Sequence, residues 1–202
     1  MMVRSCLGPV VNLRSPGIWL FTGSLLMLLM VNLAEFLYPD YSVSKNYISD
    51  LGVGPMPSRG IFIAALIIFG LMAIMSSVFM RRSHPDSSIW LLLATSGIGA
   101  IGVGLFDENS ARGVHGAFAA MAFLSGNFAA LWSAKLVHSA LKYIFVPLGL
   151  LGIAALVLFG LKADLGLGLG GMERMVFYPA MIWSLAYGAY LSGVEGSQDP
   201  SL

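Results

Sequence analysis

The stretch that decides the fold is Gly17–Leu37, GIWLFTGSLLMLLMVNLAEFL. At about 1.5 Å of rise per helical residue, a segment of this length crosses the roughly 30 Å hydrocarbon core of a bilayer. It carries one amide, Asn32, and one carboxylate, Glu35. Arg14 before the segment and Ala34 near its end imitate a secretory signal, but the apolar run is as long as a membrane span. We therefore predict an uncleaved first transmembrane helix.

The composition of the whole chain is typical of a membrane protein. Of its 202 residues 57% are hydrophobic and 10% are charged, and the mean hydropathy is +0.83, whereas about a quarter of the residues in a soluble domain are charged. The net charge of +1 comes from 11 basic and 10 acidic residues, so nucleic acid is excluded as a partner and membrane lipids are expected. The lone cysteine, Cys6, excludes an internal disulfide and a metal site built from cysteines.

Six apolar segments follow one another along the chain, each near the length that spans a bilayer. They are Gly17–Leu37, Gly60–Met80, Ser88–Phe106, Val114–Ala134, Tyr143–Leu161 and Met175–Leu191. The connections are short and contain the proline and polar residues that end helices. We predict one all-α integral membrane domain over residues 1–202, built as a bundle of six transmembrane helices. The small residues of the third and fourth segments predict that these two helices pack closely.

The basic residues of the connections predict the orientation, because Lys and Arg favour the cytoplasmic side. The face of the N-terminus and of the second and fourth loops carries Arg4, Arg14, Arg81, Arg82, Lys135 and Lys142. The opposite face carries Lys45, Arg59, Arg112, Lys162 and Arg174. This margin predicts a cell-membrane protein with both termini in the cytoplasm. Anchoring at the two membrane interfaces is expected for four tryptophans, Trp19, Trp90, Trp132 and Trp183.

The first connection, YPDYSVSKNYISDLG at Tyr38–Gly52, is more polar and longer than a simple turn needs to be. Val43, Tyr47 and Leu51 recur with helical spacing, and Gly52 is a suitable residue to end a helix. We therefore predict a short surface helix in this outer loop, covering the bundle and turning a polar face inward.

A path of six spans places loops one, three and five on one face of the membrane. These loops carry most of the acidic residues of the chain, with Glu35 one turn inside the first helix and Asn32 a turn deeper. We predict that they enclose a polar pocket on the extracytoplasmic side. Its floor is Glu35, Asn32 and His115, its cover is the segment Lys45–Asp50, and its wall is Asp107–Arg112 with Glu173 and Arg174.

The residue types in this pocket suggest roles that remain alternatives. Acid or base catalysis is assigned to four residues, Glu35, Asp50, Asp107 and His115. Binding is assigned to eight, Asn32, Lys45, Asn46, Ser49, Glu108, Asn109, Glu173 and Arg174. Glu173 with Arg174 most simply fixes the last helix, with Arg174 bridging a carboxylate of loop one or three, for which Asp50 is a candidate. A triad of serine, histidine and aspartate has no positive support from spacing. No cofactor is clearly encoded; one histidine among carboxylates suits a hard divalent cation better than zinc.

Three blocks of this sequence resemble a known family. They are Tyr38–Gly52, the run FDENSARGVHGAFAAMAF at Phe106–Phe123, and GGMERMVFYPAMIW at Gly170–Trp183. Together they resemble an uncharacterised prokaryotic family of six-span membrane proteins, the domain of unknown function 998. The matching parts are Tyr38-Pro39, Ile48 to Gly52, His115-Gly116 and Glu173-Arg174. The resemblance implies the six-helix architecture and nominates these residues, but the family carries no agreed activity.

Three classes of function therefore stay open. The first is an accessory or structural subunit, in which the polar cluster holds loops to helix ends beside a larger membrane partner or a second copy of the chain. The second is a membrane hydrolase or transferase acting on a lipid head group, with Arg174 or Lys45 holding phosphate. The third is a protein that binds or transports a small solute or ion. The scarcity of polar residues at mid-depth disfavours transport, because transport sites lie near the midplane.

Overall fold

The computed structural model describes residues 12–111 and 113–196, with the backbone alone for 194–196. Arg4, Cys6 and Arg112 lie outside the described residues. Within these ranges the secondary structure is helical and contains no strand. The helices are α1 Pro16–Phe36, a 3₁₀ helix Ser49–Gly52, α2 Ser58–Ser83, α3 Ile89–Leu105, α4 Val114–Ser133, α5 Lys142–Gly160 and α6 Gly168–Gly196.

All six predicted helices are present, so the protein is a polytopic helical membrane protein. Four of them, α1, α2, α4 and α5, are long and apolar enough to cross a bilayer, and α3 is a shorter apolar helix. The largest difference concerns α6, which begins at Gly168 instead of the predicted Met175. The additional turns bring Glu173 and Arg174 into the helix, so its backbone fixes the positions of both side chains.

Local signals explain where α1 begins. Ser15 accepts a hydrogen bond from the amide of Gly17 at 3.2 Å, and Pro16 occupies the first helical position. A serine cap and a proline at this position satisfy or remove the free amides of the first turn. The helix is rotated so that Met27, Val31 and Ala34 are buried against the other helices.

Five of the helices form a ring. Neighbours in it are α1 with α2, α2 with α3, α3 with α4, α4 with α6, and α6 with α1, whereas α5 packs on the outside against α4 and α6. On α4, Asn127 is fully buried and donates to the carbonyl of Val176 in α6 at 3.4 Å. A side chain on Gly152 of α5 would collide with the Asn127 amide, so this glycine lets α5 pack closely against the ring.

Small residues allow the close helix contacts that the sequence predicts. A Cβ atom on Gly99 of α3 would lie 2.6 Å from the backbone nitrogen of Ala122 in α4. The ring is closed in the same way, because a Cβ on Gly188 of α6 would lie 2.6 Å from the amide of Phe21 in α1. Backbones that approach this closely pack by dispersion, the main attraction between helices in lipid.

The predicted helix of loop one is replaced by turns and the short 3₁₀ helix Ser49–Gly52. Lys45, Asn46 and Tyr47 therefore do not form the α-helix that was expected. The reason is a tertiary contact, because the carbonyls of Val43 and Asn46 accept hydrogen bonds from Arg174. Carbonyls that point to this side chain are not all available to accept the backbone hydrogen bonds of a local α-helix. Gly52 does end the short helix, as predicted. We call residues 38–54 the cap segment.

Candidate functional site

Arg174 is the centre of the polar structure that holds the cap segment on the bundle. Its side chain is 6% exposed and forms an ion pair with Glu35 of α1, whose side chain is 13% exposed. It also donates to the carbonyls of Val43 at 3.0 Å, Asn46 at 3.1 Å and Gly170 at 2.9 Å. The planar guanidinium suits such a site because its donors diverge in fixed directions. Arg174 therefore joins α1, α6 and the cap segment. Asp50, the predicted ion-pair partner of Arg174, is wrong, because Arg174 pairs with Glu35.

Glu173 makes a second attachment on the next residue of α6. Its carboxylate is buried and accepts the amide of Ile48 at 2.5 Å. The amide of Gly170 donates to the carbonyl of Ser44 at 3.1 Å. The first turns of α6 therefore bind main-chain groups of residues 43–48, and sequence patterns in the cap segment do not reveal such contacts.

Tyr41 completes the network around Arg174. Its hydroxyl accepts from Arg174 at 2.7 Å and donates to the carbonyl of Tyr47 at 2.8 Å. Burial raises the pKa of the Tyr41 phenol above its usual range, and the nearby Arg174 lowers it by a smaller amount. Burial also raises the pKa of Tyr47, with a further contribution from the Glu173 carboxylate. Tyr41 therefore keeps its proton at neutral pH and can donate and accept at the same time.

Asp50 and Asn46 bond within the cap segment instead of facing an enclosed pocket. The Asp50 carboxylate accepts the Asn46 amide at 3.1 Å and the backbone amide of Tyr47 at 2.9 Å. The Asn46 side-chain oxygen accepts the amide of Ser42 at 3.0 Å. These bonds shape the turns of the cap, so the geometry gives both residues a local structural task.

Loop three meets loop one at the same end of the bundle. Ser49 donates to the Glu108 carboxylate at 2.5 Å, and Arg59 at the start of α2 pairs with Asp107 at 3.4 Å. His115, in the first turn of α4, contacts the carbonyl of Phe106 through Nδ1 at 2.8 Å. A carbonyl oxygen can only accept, so Nδ1 carries the hydrogen, and in the neutral ring Nε2 keeps a free lone pair.

Several predicted site residues are not brought into this arrangement. Asn32 is exposed on the outside of α1 and bonds to the carbonyl of Leu28 at 2.7 Å, so it does not form a pocket floor. Lys45 and Asn109 are also exposed. Of the two residues predicted as alternatives for holding phosphate, Arg174 is bonded to protein groups and Lys45 is exposed. Within the described hydrogen bonds, none joins His115 to a serine or a carboxylate, so a catalytic triad has no geometric support.

Inside the ring of five helices lies a narrow cavity of about 70 Å³, which we call the axial cavity. It is lined by α1, α2, α3, α4, α6 and the cap segment, and no residue of α5 contributes to it. Its walls are mostly apolar, and away from the cap segment Ser96 and Ser184 are their polar residues. The end beneath the cap is different, because Ser49, His115 and Glu173 line it there. We call these three residues the mouth.

The axial cavity is long for its volume. Along α4 its lining runs from His115 to Gly126, and along α6 from Glu173 to Ser184, which corresponds to roughly 16 Å at about 1.5 Å per residue. That is about half of the roughly 30 Å hydrocarbon core. At the deep end it is lined by Leu20, Leu93 and Trp183. Trp183 is buried and donates to Ser133 at 2.8 Å, so it is not the interface anchor that was expected.

Comparison with known proteins gives the family of the chain. The family described as Protein of unknown function (DUF998) matches residues 21–190. The chain belongs to the DUF998 family. The matched range contains the cap segment, His115 and the pair Glu173 and Arg174, which together build the attachment and the mouth. No curated protein and no solved structure matches this DUF998 chain.

Metal ligands and overlooked residues complete the description of the DUF998 site. In the described part of the chain, no group of three His, Cys, Asp or Glu side chains comes together to hold a metal ion. Sequence reasoning missed Tyr41 and Gly170, where a Cβ atom would lie 2.0 Å from the carbonyl oxygen of Asn46. The available signal was the glycine-rich run Gly166–Gly171, since glycine is favoured where another backbone approaches closely.

Proposed function

We propose that this DUF998 protein binds the hydrocarbon chain of a membrane amphiphile in its axial cavity, with the polar end at the mouth. The observation that carries the proposal is the shape and polarity of the cavity: it is mostly apolar over roughly 16 Å, and its carboxylate and imidazole lie together at one end. Ligand sites commonly combine an apolar lining with a few convergent polar groups. The length corresponds to the chain of a lipid in one leaflet of a bilayer.

The cavity is narrow, which limits what it accepts. An apolar cavity of about 150 Å³ is large enough for benzene, whereas the axial cavity of about 70 Å³ is smaller, so its lining must move aside to admit even a single chain. Met27 and Met181 line its walls. Methionine side chains are flexible and adapt to irregular spaces, so these two can yield to a chain. Two chains side by side would require the ring to open.

We also propose that the protein lies in the cell membrane with all six helices crossing it, both termini in the cytoplasm, and the mouth outside. In support, the end opposite the cap segment pairs basic residues with aromatic rings, as interfacial residues do: Arg81 with Trp90 and Lys135 with Trp132. Labelling of a Lys45→Cys variant in intact cells by a membrane-impermeant maleimide tests this orientation, and protection of that cysteine contradicts it.

Filling the cavity tests the proposed function. Ala119 lines the cavity on α4, whereas Ala117 on the same helix is exposed. Ala119→Phe is expected to reduce photolabelling by a 16-carbon alcohol with a diazirine in its chain by about tenfold, because the ring occupies the space of the chain. Peptides of α4 and α6 are analysed by mass spectrometry, and Ala117→Phe, the same change on the outer face, is the control.

The competing function is an accessory subunit in which the cap segment serves purely to fix the helix ends. It is favoured by the extensive bonding of Arg174 and Glu173 to protein groups. Under this alternative, labelling of the cavity peptides is weak and is equal in the wild type, Ala119→Phe and Ala117→Phe. The protein is then also expected to copurify with a larger membrane partner or as a homo-oligomer.

A further inference from the structure

We infer that the mouth of the axial cavity selects amphiphiles whose polar end donates hydrogen bonds, such as a long-chain alcohol or alkylammonium, over those with an anionic head. The inference rests on the proposed function, since it concerns the head group of the same ligand. It assigns a chemical class to the head group of the ligand, which neither the family match nor the shape of the cavity does.

The first step is the hydrogen-bonding state of the three polar groups that line the mouth. Ser49 has committed its hydroxyl proton to the carboxylate of Glu108 at 2.5 Å, which leaves its oxygen as an acceptor. His115 uses Nδ1 on the carbonyl of Phe106 at 2.8 Å. In the neutral ring the remaining nitrogen, Nε2, is therefore an acceptor as well.

The third group is a carboxylate. Glu173 accepts the amide of Ile48 with one oxygen, Oε2, at 2.5 Å, and an ionised carboxylate has about four lone-pair positions in all. The backbone amide of Ser49 also interacts with this carboxylate, and the lone-pair positions that remain add acceptor capacity at the mouth. Every polar group of the mouth thus has a free acceptor position, and a ligand satisfies these positions by donating.

The second step concerns charge. Among the described residues that line the axial cavity, none is Lys or Arg. The buried cation nearest in sequence, Arg174, does not line the cavity and already binds Glu35, Tyr41 and main-chain carbonyls. A phosphate or carboxylate at the mouth would therefore face the Glu173 carboxylate without a compensating cation, and burying a charge in that way is costly. A donor head group therefore replaces the phosphate that Arg174 or Lys45 was predicted from the sequence to hold.

The experiment compares four probes that share one diazirine-bearing 16-carbon chain and differ in the head: alcohol, ammonium, carboxylate and phosphate. Each is incorporated at equal concentration into liposomes containing the full chain at pH 8.5, where an ordinary imidazole is neutral. We expect the alcohol and the ammonium to label α4 and α6 peptides about fivefold or more above the carboxylate and the phosphate. Equal labelling by all four, or stronger labelling by an anionic probe, overturns the inference while the proposed chain binding stands. Absence of cavity labelling with every probe overturns the proposed function itself.

A variant tests the mouth directly. His115→Phe keeps an aromatic ring and removes the acceptor nitrogen, so the advantage of the alcohol over the carboxylate is expected to fall by about fivefold, the ratio for one lost hydrogen bond. His84→Phe is the matched control, because His84 is exposed at the end of α2 away from the cap segment. An unchanged ratio of alcohol to carboxylate labelling in His115→Phe overturns the role of the imidazole. If this variant folds poorly, the comparison of head groups in the wild type still decides the inference.

Discussion

Replacing Arg174 by alanine is expected to destabilise the protein by about 3–5 kcal/mol, because it removes one partner of a buried ion pair. Glu35 would be left as a carboxylate with a side-chain exposure of 13% and without its cation. The carbonyls of Val43 and Asn46 would lose their donor as well. For a chain of this length the melting temperature in detergent is expected to fall by roughly 10 °C.

Two further variants make this prediction specific. Arg59→Ala removes the exposed pair with Asp107, whose side-chain exposures are 47% and 24%, and is expected to cost about 0–1 kcal/mol. Arg174→Lys keeps the charge but loses the planar fork that binds Glu35 and the carbonyls together, so it should retain a small part of the stability. Equal melting temperatures for Arg174→Ala and Arg59→Ala would contradict the central position of Arg174.

A single methyl group on Gly170 is expected to lift the cap segment from α6. A Cβ atom there would lie 2.0 Å from the carbonyl oxygen of Asn46 and 2.7 Å from that of Val43. Both oxygens belong to the backbone and accept from Arg174, so neither can move without loss. Gly170→Ala should cost about 1–3 kcal/mol, the usual range for overpacking. The Ile48 amide donates to Glu173, so its hydrogen exchange is expected to become faster in Gly170→Ala. Measuring this exchange reports locally on whether the cap segment has been lifted.

The matched control for this prediction lies on the same helix. A Cβ atom on Gly193 meets nothing within 4 Å, so Gly193→Ala is expected to be neutral or to stabilise α6 by about 0.5–1 kcal/mol. Because Gly170 and Arg174 act on the same carbonyls, the costs of Gly170→Ala and Arg174→Ala should not add. Additive costs, or unchanged exchange at Ile48 in Gly170→Ala, would show that the cap is held elsewhere.

The helices were predictable because long apolar runs determine them before any tertiary contact is considered. The observed bounds of the first five helices lie within three residues of the predicted ones, and both ends of α6, Gly168 and Gly196, are the exceptions. The cap segment was not predictable in the same way. Its apolar residues do recur with helical spacing. However, Arg174 and Glu173, from a distant part of the chain, bind two of its carbonyls and one amide, and these bonds replace those of a local helix.

The grouping of polar residues was predicted in part. Loops one and three do meet through Ser49 and Glu108, and α6 meets loop one, because antiparallel neighbours return their loops to one end. The rotation of α1 was not predicted. Met27, Val31 and Ala34 face the core, and at about 100° per residue Asn32 then turns outward while Glu35 stays at the edge of the buried face. The axial cavity depends on side-chain shapes from five helices, which periodicity does not contain.

An experimental density map of the protein in lipid nanodiscs would show whether a hydrocarbon chain occupies the axial cavity. We expect continuous, elongated density for one chain inside the ring of α1, α2, α3, α4 and α6, running from Ser49 and His115 toward Trp183. Its polar end should lie within hydrogen-bond distance of the mouth residues. A ring filled by side chains or water, with lipid density confined to its outer surface, would rule out binding of a chain in the axial cavity.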